Sequence, residues 1–272
     1  MKIKYDSAFL IVLYNKQPME SETIKKIIFF ESIGNDKIVI WNNGPKQIKF
    51  DEYPNIDVVN TIENFALSKI YNRFISTYNA SRYVILDDDS NITIDYWHDV
   101  STVAENKLGI PLITDELGVL RSPSVNGHPG KNIDNGLVIG IGSGLVLGRK
   151  VCLELSAKYT DIFDERFIFY GVDTTLFYRF RECFSNRDLT LICGFEHRLS
   201  RLDQKDASSK FRLIERGFDV GMRLRYYHSK TDGLTLLIKH FLSNLKLSLS
   251  NKKRLSIKSL LKGYFIGKHD RS

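Results

Sequence analysis

Two short apolar runs rich in β-branched residues, Ala8 to Tyr14 and Lys37 to Trp41, give way at once to polar turns, Asn15-Lys16-Gln17-Pro18 and Asn42-Asn43-Gly44-Pro45. Runs of this length and content predict buried strands. Between them, Ser21 to Ser32 sets Ile24, Ile27 and Ile28 at helical spacing, with Glu31 in step and Ser21 as the cap. A second helix is predicted over Asn60 to Tyr78, where Ile62, Phe65, Ala66, Ile70 and Phe74 recur at steps of three and four. The next strand, Tyr83 to Leu86, ends in Asp87-Asp88-Asp89-Ser90. Strands alternating with helices imply an α/β fold: a mostly parallel, twisted sheet flanked by helices, with ligands bound beyond the strand C-termini. All three polar turns lie there.

After Thr93 the pattern is irregular, with Pro111, Pro123 and Pro129 and many small polar residues up to Gly136. Two strand pieces are then expected around Gly142-Ser143-Gly144, and a helix over Asp173 to Phe184. Near the C-terminus, Leu234, Leu237, Ile238, Phe241, Leu242 and Leu245 form one helical stripe. Ile257, Leu260, Leu261, Tyr264 and Phe265 form another beyond Lys252-Lys253-Arg254. The expected organisation is a main domain over 1–232 and a basic amphipathic helical tail over 233–272. The first stripe suits packing on the main domain as well as a membrane. The second, beside Lys258, Lys262 and Lys268, suits an anionic bilayer surface.

Charge sharpens that division. The net +7 hides nine basic residues against one acid from Thr235 onward, which leaves 30 basic against 31 acidic residues in the rest. A near-neutral body argues against a broad nucleic-acid face and places an anionic partner at the tail. At 272 residues and 43% hydrophobic the chain can bury a sizeable core. Three scattered cysteines build no disulfide framework, and no apolar run approaches the length of a membrane span or a signal peptide. The expected location is cytoplasmic.

Three adjacent carboxylates at a strand end repel one another, so Asp87-Asp88-Asp89 suits a hard divalent ion bridging a diphosphate. A solvated acidic turn, with Asp89 or Ser90 capping a helix, is the alternative. Gly140-x-Gly142-x-Gly144 lacks the preceding βα unit and the later acid of a dinucleotide fingerprint. Asp173, after Phe167, Phe169 and Tyr170, suits either a helix cap or a base whose apolar surroundings favour proton uptake.

Taken together, Val12 to Lys16, Ile40 to Gly44, Asn64, Ile70 to Asn72, Ile85 to Asp89, Gly142 to Gly144 and Phe169 to Asp173 resemble, in order and spacing, family-two glycosyltransferases of the GT-A fold. The likeness spans roughly residues 8 to 205 and is nearest to bacterial surface-polysaccharide enzymes. The resemblance implies that Tyr14 stacks on a nucleotide base and that Asn42 or Asn43 accepts a hydrogen bond from it, where the family carries an acid. It implies that Asn72 lies by the diphosphate, and that Asp87 and Asp89 hold Mn²⁺ or Mg²⁺ with His197 completing the site. Asp88 would share the metal or turn to the ribose. Gly142, Ser143 and Gly144 would border the acceptor, Asp173 would be the catalytic base, and Arg198 and Arg201 are candidate phosphate contacts. Val172 departs from the family's usual Glu.

The implied reaction is inverting transfer of a hexose from a UDP-linked donor to a lipid-linked glycan, in O-antigen or capsule synthesis, at the inner face of the cell membrane. A sugar-phosphate nucleotidyltransferase would carry a Gly-rich basic loop after its first strand, which Tyr14 to Pro18 lacks. A non-enzymatic basic module would spread its charge over the body.

Overall fold

A computed structural model of the chain describes residues 3–30, 35–50, 53–197, 209–248 and 254–271. Arg198, Arg201, Glu31, Lys252 and Lys253 lie outside them. The chain divides into two compact units, Met1–Phe163 with Leu176–Arg198, and Asp164–Thr175 with Leu199–Ser272.

The first unit is built on a seven-stranded sheet. Its strands are β1 (Tyr5–Leu13), β2 (Lys37–Asn42), β3 (Ile56–Asn60), β4 (Ala80–Asp87), β5 (Leu108–Pro111), β6 (Leu145–Gly148) and β7 (Leu189–Ile192), in the order β7-β5-β6-β4-β1-β2-β3. All lie parallel except β6, which runs antiparallel to both β4 and β5. Every residue of β2 is buried, as expected of a central strand covered on both faces. Helix α1 (Glu22–Phe29) starts at Ser21, whose side chain accepts the Ile24 N–H. Ile24 and Ile27 of α1 join Tyr96, Trp97 and Val100 of α3 (Ile94–Thr102) on Phe9, Ile11, Ile38, Ile40, Val84 and Leu86. Phe9 stacks on Trp97 with ring centres 4.2 Å apart.

Three features differ from the expectation. β3 occupies Ile56–Asn60, and the second helix, α2 (Leu67–Thr77), begins seven residues later than Asn60. Asn60 is consumed by pairing with Asn42, and Asn64 turns the chain at φ 52°, a left-handed conformation that asparagine tolerates, so it stands off the helix. The irregular stretch after Thr93 also contains α3 and β5, and it supplies two small sheets. One of four strands joins Ser90–Asn91, Glu196–His197, Ile113–Thr114 and Leu120–Ser122. Helices α4 (Arg149–Tyr159) and α5 (Val172–Cys183) follow β6, and the division between units falls within α5.

In the second unit, α6 (Lys210–Tyr226), α7 (Lys230–Ser248) and α8 (Ile257–Phe265) surround Leu224, Leu237, Leu255 and Leu260. Helices α6 and α8 meet at glycines: a Cβ on Gly221 would stand 2.2 Å from the Leu260 carbonyl oxygen, and one on Gly217 2.6 Å from that of Ser256. Beyond α8, Glu215 Oε1 accepts from His269 Nε2 (3.1 Å) and from Arg271 (3.0 Å), with Glu215 and His269 both buried. The boundary expected at 232/233 falls in the first turn of α7. Of the stripe expected to meet a bilayer, Leu260 is fully buried, Ile257, Leu261 and Tyr264 are partly covered, and Phe265 is exposed. Among the described residues no helix is long and apolar enough to cross a membrane.

Candidate metal and nucleotide site

Asp87 is the last residue of β4, so the acidic turn begins where the parallel sheet ends. The turn is braced from below by hydroxyls. Thr23 Oγ1 donates to the Asp87 carbonyl (2.6 Å) and accepts the Ser90 N–H (2.9 Å), while Ser21 Oγ donates to the Asp88 carbonyl (2.7 Å). Ser143 Oγ accepts the Asp87 N–H (2.9 Å) and lies 2.6 Å from Ser90 Oγ. Ser21, Thr23, Ser90 and Ser143 are all inaccessible to solvent, so these bonds form away from competing water and hold the backbone while the carboxylates point out.

His197 reaches the turn through backbone pairing. Glu196–His197 lies antiparallel to Ser90–Asn91 with His197 opposite Ser90. Its Nε2 is 3.4 Å from Asp87 Oδ2, and its Nδ1 is 3.7 Å from Asp89 Oδ1 and 3.4 Å from Ser90 Oγ. The imidazole is buried and both carboxylates are about half exposed, so the cluster opens toward solvent on its acidic side. Burial works against charge on the imidazole, but the hydrogen bond and charge of Asp87, with Asp89 and Asp88 behind it, raise the His197 pKa above its ordinary value. Burial also raises the Asp89 carboxyl, with His197 opposing and Asp87 and Asp88 adding to the rise. One ligand atom from each of Asp87, Asp89 and His197 lies within 4.8 Å of the others. Ligands on one small divalent ion at about 2.1 Å stand no more than about 4.2 Å apart, so two carboxylates and an imidazole fit such an ion with little movement.

Asp88 stands outside this cluster and forms an ion pair with Lys16. The repulsion within the triplet is thus relieved partly by the chain itself: Lys16 answers Asp88, and His197 answers its two neighbours. Tyr14 follows β1 and is 55% exposed, which leaves its ring available for stacking and excludes a core role. Asn42 and Asn43 are buried and face inward. Asn42 Nδ2 donates to Lys46 O and Asn60 Oδ1 (both 2.6 Å), and its Oδ1 accepts the Gly44 N–H (3.1 Å). Asn43 Oδ1 accepts the Phe65 N–H (2.8 Å) and its Nδ2 donates to Phe65 O (2.9 Å). Gly44 sits at φ 97°, where an added Cβ would strike the Ile62 carbonyl. Asn72 similarly clamps the backbone of Phe163, donating to its carbonyl and accepting its N–H, each at 2.9 Å. These amides shape the loops at the sheet edge.

The glycine segment also has a structural task. Ser143 is fully buried beneath the acidic turn, and a Cβ on Gly144 would press on Pro111 and Phe195 at 2.7 and 2.9 Å. An acceptor sugar cannot touch the Ser143 side chain, because protein already surrounds it, and of the three residues only Gly142 retains exposure. Sequence reasoning foresaw neither the bracing by Thr23 and Ser90 nor the pairing of Lys16 with Asp88. Only the cap at Ser21 had a local signal.

Asp173 belongs to the second unit, in the first turn of α5, where its Oδ1 accepts the Thr174 N–H at 2.7 Å. In the same unit Phe169, 42% exposed, packs edge-on against Tyr170 and Phe211. Arg212 donates to the Tyr170 hydroxyl (3.2 Å).

No protein-family model and no curated protein matches the chain. Among solved structures it is similar to GalNAc-T7, crystallised with UDP, GalNAc and Mn²⁺, at 14% identity and a TM-score of 0.56, covering 95% of this chain and 56% of that one. It is also similar to TarS of S. aureus at 11% identity and a TM-score of 0.50, covering 85% and 45% respectively. The chain thus spans about half the length of each. Both neighbours are GT-A glycosyltransferases, and the mostly parallel sheet with its acidic turn at the end of β4 gives this chain the GT-A fold.

Proposed function

We propose that the protein is an inverting glycosyltransferase that moves a hexose from a nucleotide diphosphate sugar, UDP-linked, to a lipid-linked glycan in surface-polysaccharide synthesis. The observation that carries the reading is the Asp87, Asp89 and His197 cluster at the C-terminal end of β4. It is supported by the fold and by a similar structure that holds UDP and Mn²⁺. A bound Mn²⁺ or Mg²⁺ would neutralise charge developing on the leaving diphosphate. Asp87, Asp89 and His197 would hold that ion, and the hydroxyl braces under the turn would keep the carboxylates in place without rearrangement. Tyr14 would stack on the base. Asn42, Asn43 and Asn72 would act through the loops that they hold, and Asp88, paired with Lys16, would face the ribose.

Asp173 is assigned the base from the sequence resemblance: its carboxylate would take the proton of the acceptor hydroxyl as that oxygen attacks the anomeric carbon opposite the diphosphate. The hexose would leave with inverted configuration and no covalent intermediate. Gly142 remains the acceptor-side residue of its segment, and location at the inner face of the membrane belongs to the same reading. Titrating UDP with and without Mn²⁺ tests it: binding that strengthens with the ion is expected, and equal or absent binding in both arms overturns it. A sugar-phosphate nucleotidyltransferase would instead bind the nucleoside triphosphate and release pyrophosphate.

A further inference from the structure

The first C-terminal stripe presents a surface that the site described above does not use. On α7, Leu234, Ile238, Leu242 and Leu245 are 47%, 52%, 57% and 47% exposed, whereas Leu237 is buried with Leu224, Leu255 and Leu260. At 3.6 residues per turn these four lie along one line of the helix, and Leu237 and Asn244 lie on the buried side. Lys239 and Lys246 run in register beside the exposed line, one heptad apart and both exposed. The helix's one acid, Asp232, is in the first turn, off the apolar line and one heptad before Lys239. Four charged residues in 19 make α7 too polar to span a bilayer but suited to lie along one.

We infer that α7 is the membrane-contact element, docking its exposed leucine and isoleucine row on an anionic lipid surface, with Lys239 and Lys246 meeting the headgroups. Charge complementarity selects this occupant. Self-association through the row would bring two lysines from each copy together against one acid each, Asp232, which already accepts the Ser229 hydroxyl (2.6 Å), whereas an anionic bilayer supplies both the apolar depth and the counter-charge. The inference rests on the proposed lipid-linked acceptor only for its purpose; the contact itself is independent of donor chemistry. It places membrane contact on α7 in preference to α8, whose Leu260 is buried and whose Leu261 and Tyr264 pack against the core.

The test is co-sedimentation of the full chain with phosphatidylglycerol–phosphatidylcholine vesicles at low salt. Because both positions are exposed, I238E/L242E should keep the fold by circular dichroism and keep UDP affinity, yet bind these vesicles at least about tenfold more weakly. K239E/K246E should lose binding to the anionic vesicles by a similar factor. K258E on α8 should bind as the unmodified protein does. Undiminished binding by I238E/L242E, or an equal loss in K258E, would overturn the assignment of α7. A stable dimer that I238E/L242E dissociates would show that a second copy covers the row and would likewise overturn it. UDP binding measured alongside separates failure of this inference from failure of the proposed function.

Discussion

A carboxylate that removes a proton from an acceptor and one that holds a cation fail in different ways when changed. In the proposed reaction Asp173→Asn keeps its size and can still accept the Thr174 N–H, but an amide cannot take the proton. Turnover should fall by roughly 10²-fold or more with donor affinity nearly unchanged, as read by steady-state kinetics and UDP titration. Asp89→Ala should behave oppositely. It removes one of three ligands, so UDP affinity should drop in Mn²⁺ and be unchanged in EDTA. A loss of equal size in both conditions would make Asp89 a structural residue. The two carboxylates differ in legibility as well: Asp87 and Asp89 stand out in the sequence because like charges are crowded, whereas the partners that make the crowding tolerable, Lys16 and His197, lie far along the chain.

At the scale of elements, contacts between helices decide what periodicity cannot. Gly221 is a helical position where alanine would ordinarily stabilise by about 1 kcal/mol through its higher propensity. Here the added Cβ would meet the Leu260 backbone oxygen at 2.2 Å, and backbone cannot swing away as a side chain can. Gly221→Ala should therefore destabilise the protein by about 1–3 kcal/mol in urea denaturation, the opposite sign to the propensity effect. The strand-and-turn pattern was legible for β1, β2 and β4 because a short β-branched run followed by a polar turn is a local signal. β3 carries no such signal: only Ile56 is buried, Asp57 to Val59 are partly covered, and its last residue, Asn60, falls in the helical spacing that starts too early.

For the molecule as a whole, Asp36 makes stability depend on pH. Burial raises its carboxyl from 3.8 to about 6, against the pull of a 2.9 Å hydrogen bond from the Ser7 N–H. Below both values the group is neutral in the folded and unfolded chain. As pH rises, the unfolded carboxyl ionises first and the folded one resists, so this group removes stability between roughly pH 4 and 6 and no more above that. Asp36→Asn retains an oxygen for the Ser7 N–H. It should be more stable than the unmodified protein at neutral pH, with the difference vanishing below about pH 4 in thermal unfolding across that range; a constant difference would refute the assignment. The sequence by itself determined the alternation of strands and helices, the acidic turn at a strand end, and the position of the basic, amphipathic tail, because each follows from spacing and composition within a few residues. Only the tertiary structure decided that His197 completes the cluster, since pairing with Ser90 brings together residues 107 positions apart. It also decided that Ser143 is a buried brace, because the reversed strand β6 pairs with β4 and starts beside the end of that strand. The same holds for the two C-terminal stripes: both have the apolar spacing of a docking face, and packing around Leu224 buries Leu260 of one and Leu237 of the other while Leu234, Ile238, Leu242 and Leu245 stay exposed.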